Sequence, residues 1–308
     1  MIGSHAGSVV IVDSQVHLWE AHRPDRPWPA EERGKAFVAV PGARPHRAEP
    51  LLAEEMLALM YGAGVDRAVV VPPSPIGDSN LTALEAAARH PQRFAVMGRL
   101  DPLAEGAAAQ LAQWREQPGM LGLRMTFHKP KWSGWLDGGI EWFWRECERL
   151  ELPVMLLAPG RMDAIGRLAR QHPRLVLIVD HMGRRSELRD EACFADLDLL
   201  LRLAALPNVV VKASAAPCYS TEAYPFRNLD GYIERIVGAF GPQRTMWGSD
   251  VSRLPCTYLQ SVRHFQNELA FLRGDDLDWV MGKSAARWLR WPETLVTQTP
   301  APPHENPT

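Results

Sequence analysis

Eight short runs rich in Val, Ile, Leu and Met constrain the fold of this chain more than any other feature; they fall at residues 11–17, 68–72, 94–99, 122–126, 154–158, 175–181, 209–214 and 245–250. Most are apolar nearly throughout, the pattern of strands covered on both faces in a parallel sheet and not the alternation of a half-exposed antiparallel one. Between them, residues 51–61, 80–89, 104–116, 140–150, 162–171, 192–205, 229–240 and 258–272 carry the periodic Leu, Ala and Trp of helices that bury one face. At Arg89-His90-Pro91, Gln171-His172-Pro173 and Leu206-Pro207-Asn208 a proline ends the helix just before the next strand. Strand and helix alternate eight times across short joints, so the expected fold is α/β, a closed (β/α)8 TIM barrel in preference to an open doubly wound sheet.

Two insertions depart from a minimal barrel. Residues 19–50, rich in proline and arginine, follow the first strand and are expected to lie over the mouth as a lid or rim; residues 127–139, with Trp132 and Trp135, are expected to do the same after the fourth. Residues 275–289 read as an extra C-terminal helix. The expected organisation is a disordered leader over 1–9, one barrel domain over 10–292 and a disordered proline-rich tail over 293–308.

With 34 basic against 36 acidic residues, the charge balance favours neither nucleic acid nor membrane as a partner, which leaves a small-molecule substrate and leaves a homodimer open. Cys147, Cys193, Cys218 and Cys256 are widely spaced, neither a disulfide framework nor a zinc-finger pattern. No secretory signal or membrane-length apolar run is present, so a cytoplasmic location is expected.

In barrels of this kind the chemistry sits where strands end at the C-terminal face. Those ends supply Gln15 and His17, Arg99 and Asp101, Arg124, His181, Lys212 and Ser214, and Asp250. Packing a barrel does not require so many ionisable groups at one mouth, and buried without partners they are costly. Single members have plainer explanations: Arg99 and Asp101 pairing with each other, or Lys212 reaching solvent. The combination of His17, His181 and Asp250 has none as simple.

Four stretches, IVDSQVHLW (11–19), LGLRM (121–125), VDHMG (179–183) and MWGSDVSRLP (246–255), resemble the amidohydrolase-2 group, and GKSAARWL (282–289) is similar to its last helix. That group includes lactonases and decarboxylases, so the resemblance implies a TIM-barrel hydrolase acting on a small carboxylated or sugar lactone. The chain departs from the group at two places. Gln15 stands where a His-x-His pair usually begins, and Ala158 where metal-dependent members place a histidine. Three candidate metal ligands remain, His17, His181 and Asp250, enough for one divalent ion such as zinc but short of the usual cage. Catalysis without a required cofactor is therefore the favoured expectation. Asp250 is expected to serve as general base for water, with His17 and His181 polarising the carbonyl and Arg124 gripping a substrate carboxylate or hydroxyl pair.

Gln15, Arg99, Lys212, Tyr219 and Arg253 complete the candidate substrate contacts, with His128 and Lys129 at the rim and Trp19, Trp132 and Trp135 as walls or loop anchors. Arg23, Arg26, Arg33, Arg44 and Arg47 either attract an anionic substrate or form a solvated face. Nonoxidative decarboxylation is the nearest rival, an amidase or imidase follows, and a barrel that binds ligand without turnover is the alternative from outside enzymology.

Overall fold

The computed structural model describes residues 10–30, 42–127 and 130–291. The expected leader and tail, Arg33, His128 and Lys129 lie outside the described residues. Eight parallel strands, β1 (Val12–Val16), β2 (Arg67–Val70), β3 (Phe94–Gly98), β4 (Met120–Thr126), β5 (Val154–Leu157), β6 (Leu177–Val179), β7 (Val209–Ser214) and β8 (Thr245–Gly248), pair in sequence order within one sheet. With helices between them they form a (β/α)8 TIM barrel. Every predicted strand is found, each within a few residues of its expected bounds.

No ladder pairs β8 with β1 among the described residues. The seam is closed by other bonds: Asp250 N–H donates to the Gln15 carbonyl at 2.9 Å, and Ser14 Oγ donates to the Trp247 carbonyl at 2.6 Å. Asp13 spans the same join. Its carboxylate accepts from Ser249 N–H at 2.8 Å, Ser249 Oγ at 2.5 Å, Gln15 N–H at 3.0 Å and the Tyr258 hydroxyl at 2.9 Å.

Inside the barrel the period of two along each strand produces a vertical gradient. Inward positions begin apolar, with Met97, Met155, Ile178, Val210 and Met246 packed in one buried cluster. Two residues further along, the same faces carry Arg99, Asp180, Lys212 and Gly248, and beyond Lys212 and Gly248 come Ser214 and Asp250. The floor therefore excludes water while the mouth concentrates polar groups.

The expected C-terminal helix forms as three consecutive pieces, Gly274–Asp278, a π-helical turn Trp279–Lys283, and Ser284–Trp288, and Ala285, Leu289 and Trp291 close the apolar floor. Gly282 makes that closure fit: a Cβ there would sit 1.9 Å from the Val10 carbonyl oxygen, a backbone atom that cannot swing aside. Gly282→Ala is expected to lower stability by about 2 kcal/mol, within the usual cost of overpacking. Urea unfolding measures it, and an unchanged midpoint would show that the helix is not held this tightly.

The helix expected over 192–205 is broken into Asp190–Phe194, Leu197–Leu201 and a 3₁₀ turn Arg202–Ala205. Near the first break, Asp196 receives Arg184 Nη1 at 2.6 Å. The helix expected over 258–272 begins on a capping box between Thr257 and Gln260 and ends at Glu268 as a π turn. Among the described residues no helix is long and apolar enough to cross a membrane.

Candidate active site

His17 lies one residue beyond β1, its Nδ1 2.5 Å from the Val71 carbonyl. A carbonyl only accepts, so the proton sits on Nδ1 and the Nε2 lone pair faces the mouth. Asp250 Oδ1 lies 3.3 Å from that nitrogen. Gln15 Nε2 lies 3.2 Å from it as well. The amide is oriented by Lys212, whose ammonium can only donate and bonds Gln15 Oε1, leaving the NH2 group to face His17.

His181 and Asp250 follow β6 and β8 with φ of 51° and 55°, left-handed backbone that a side chain adopts only under constraint. The hydrogen bond from Asp250 N–H to Gln15 holds one of these bends, and Ser214 Oγ holds the other by accepting His181 N–H at 3.3 Å. The same hydroxyl lies 2.8 Å from His181 Nδ1. His181 Nε2 is 3.8 Å from Asp250 Oδ2, which also meets Arg253 Nη1 at 3.2 Å. Asp250 Oδ1 is buried and accepts no hydrogen bond.

Burial lowers both imidazoles: His17 titrates at about 4 and His181 at about 3, despite the nearby Asp250 carboxylate, so both are neutral at pH 7. For Asp250 burial acts upward, but Arg253, His17 and His181 outweigh it and hold the carboxyl well below the usual range. Asp13, across the seam, is pushed up to about 6 by burial against the pull of its four donors.

Lys212 is fully buried and 3.0 Å from Asp180 Oδ1, so it does not reach solvent; Asp180 Oδ2 is 3.2 Å from Arg124 Nε. Arg99 reaches Thr126 Oγ1 at 3.0 Å and Asp78 at 3.5 Å. Arg99 and Arg124 line a cleft of about 230 Å³ with Trp132 and Trp135, whereas Trp19 is buried in the core. A second cleft of about 430 Å³ adjoins His181 and is lined by Arg184, Tyr219 and Arg253. In the long loop, Arg23, Arg26 and Arg47 pair with Glu20, Glu85 and Glu55 at the surface.

Sequence reasoning missed His46. It sits in the loop after β1, returned to the mouth by the backbone bond from Arg47 N–H to the Ser252 carbonyl at 2.8 Å. Nothing in its local sequence marks it. Its Nδ1 is 2.8 Å from Ser252 Oγ, and donor atoms of His17, His46 and Asp250 lie within 4.8 Å of one another. Two neutral imidazoles and a carboxylate oxygen without a donor make a set that suits a divalent ion. This differs from the expected trio of His17, His181 and Asp250 by one histidine.

The Amidohydrolase family profile matches residues 12–291. Among characterised proteins, the L-fucono-1,5-lactonase of Burkholderia ambifaria is 28% identical over 261 residues, 79% of this chain and 81% of that protein. The 4-sulfomuconolactone hydrolase of Hydrogenophaga intermedia is 28% identical over 206 residues, 64% of each chain. Among solved structures, a zinc-bound amidohydrolase from Burkholderia multivorans superposes with a TM-score of 0.75 at 23% identity, covering 92% of this chain and 100% of that one. The barrel, its polar mouth and a profile match spanning nearly the whole described chain agree: the protein belongs to the amidohydrolase family.

Proposed function

We propose that the chain hydrolyses a small lactone, with Asp250 as general base. The observation that carries this reading is Asp250 Oδ1: ionised, buried and without a hydrogen-bond donor, in a carboxylate whose neighbours His181 and Arg253 line a cleft. A water held there gives its proton to Oδ1 as its oxygen attacks the lactone carbonyl carbon. The Ser214 hydroxyl, donating to His181 Nδ1, keeps the proton of that ring on Nε2, where it meets the developing oxyanion. Collapse breaks the ring C–O bond, and the proton on Asp250 passes to the leaving alkoxide, so lactone and water become one hydroxy acid.

A lactone needs less electrophilic assistance than an amide, which suits a site whose polarising groups are neutral histidines. The lactone-hydrolysing relatives, 28% identical, support the same choice. Arg99, Arg124, Tyr219 and Arg253 face the two clefts as substrate contacts. Gln15 and Lys212 act from beneath by fixing His17. His17, His46 and Asp250 are the residues that would hold a divalent ion, whose contribution would be to polarise the carbonyl. The steps above are written with side chains alone.

Acid release from a panel of carboxylated and sugar lactones tests the proposal, before and after dialysis against a chelator. Turnover is expected in both states. Loss on dialysis with recovery in zinc would assign carbonyl polarisation to an ion, and no acid from any lactone would sink the hydrolytic reading and bring decarboxylation forward.

A further inference from the structure

The cleft beside His181 contains two guanidiniums that the protein leaves incomplete. Arg184 is 1% exposed; its Nε donates to the Met182 carbonyl at 2.8 Å and its Nη1 to the Cys193 carbonyl at 3.0 Å and to Asp196, while its Nη2 has no hydrogen-bond partner. Arg253 is 9% exposed; its Nε donates to the Arg44 carbonyl at 3.2 Å and its Nη1 to Asp250, while its Nη2 is likewise without a partner. An unpaired buried donor is costly, more so when charged, and here two belong to residues lining one cleft. We propose that this cleft is an anion pocket, and that the substrate opened at Asp250 carries a carboxylate or similar oxyanion group held by Arg184 and Arg253.

The walls support that choice. Among the described residues no aspartate or glutamate lines the cleft, whereas the cleft at Arg99 and Arg124 also contains Asp78 and Asp101. A ring bearing several hydroxyls needs acceptors as well as donors around it. The side chains here, Arg44, Arg184, Arg253 and Tyr219 among them, offer mainly donors. Arg184 is also fixed in advance: its three bonds and its place 5.7 Å over the Phe194 ring leave it little freedom to lose on binding. The word substrate rests on the hydrolytic reading, but the pocket itself does not.

Two measurements test it. One lactone ring bearing a free carboxylate is compared with its methyl ester in the wild type, and inorganic sulfate is titrated by calorimetry into wild type and Arg184→Gln. The free acid is expected to be preferred by ~30-fold or more in kcat/KM, and sulfate is expected to bind the wild type and compete with the acid. Arg184→Gln should raise KM for the acid by ~30-fold with kcat within a few-fold, leave the ester nearly unchanged, and weaken sulfate binding. A merely structural role would move both substrates alike. If that variant does not fold, Arg184→Lys, which keeps the charge and loses the fork, takes its place, and the wild-type comparisons decide on their own. Equal turnover of acid and ester without sulfate binding overturns the pocket and leaves the hydrolase. Sulfate binding weakened by the variant, with no lactone turned over, leaves the pocket and overturns the hydrolase.

Discussion

Asp250→Asn is expected to cut kcat by about 10³-fold, inside the range of about 10²- to 10⁴-fold that a positioned acid–base group supplies. The amide matches the carboxylate in size and still accepts from Arg253, but it cannot take a proton from water. The backbone bond to Gln15, which holds the left-handed turn, does not involve the side chain and survives. Steady-state kinetics beside thermal melting separates the effects, and a variant that keeps its rate within about threefold would remove Asp250 from the chemistry. In the wild type, Asp250 is already ionised below the ordinary carboxylate range, while His17 and His181 stay neutral down to about 4 and about 3. None of these groups therefore bends the rate between pH 5 and 8. For these three groups the rate falls as pH drops towards the histidine values, where His181 gains a second proton and its Nδ1 turns from accepting from Ser214 Oγ to donating to it.

The largest loss of stability is expected from Asp180→Asn, about 3–5 kcal/mol. Asp180, Lys212 and Arg124 are each at most 3% exposed, and one carboxylate faces both cations. Burial pushes its carboxyl upward, but Lys212 and Arg124 prevail and hold it below the usual range. With the charge removed, two cations stay buried without compensation. Chemical unfolding at neutral pH reads the loss directly. Adding Lys212→Met to the variant should recover part of it, because the pair is coupled; a single-mutant loss under about 1 kcal/mol would mean that water enters and solvates the cations.

The barrel was legible because each strand is a compact apolar run and each helix ends on a visible stop. His17, His181 and Asp250 were legible for a related reason: they are polar residues at the ends of otherwise apolar strands. What the sequence hid is set by distance. Gln15 and Lys212 were each picked out as substrate contacts, but that they bond one another, 197 residues apart, is a product of barrel closure. Asp180 lies within a motif beside His181, and its role becomes visible only once β4 and β7 bring Arg124 and Lys212 to it. His46 depends on a loop tied back to the residues after β8 by bonds from Arg47 N–H to Ser252, between His46 and Ser252, and from Arg253 to Arg44, and loop paths leave no periodic trace in composition. The helices over 192–205 and 258–272 were overextended because apolar spacing continues through their breaks, and local hydrogen bonding decides there.

The side-chain clasp between the first and last strands ties durability to chemistry. Asp13, Ser249 and Tyr258 do the work that a ladder does at the other seven joins, and the residues they brace, Gln15 and Asp250, lie in or beside the reacting centre. His17 and Asp250 follow the two strands that this join ties, so opening it would part them. An enzyme assembled this way would lose its chemistry at the seam with its helices still in place.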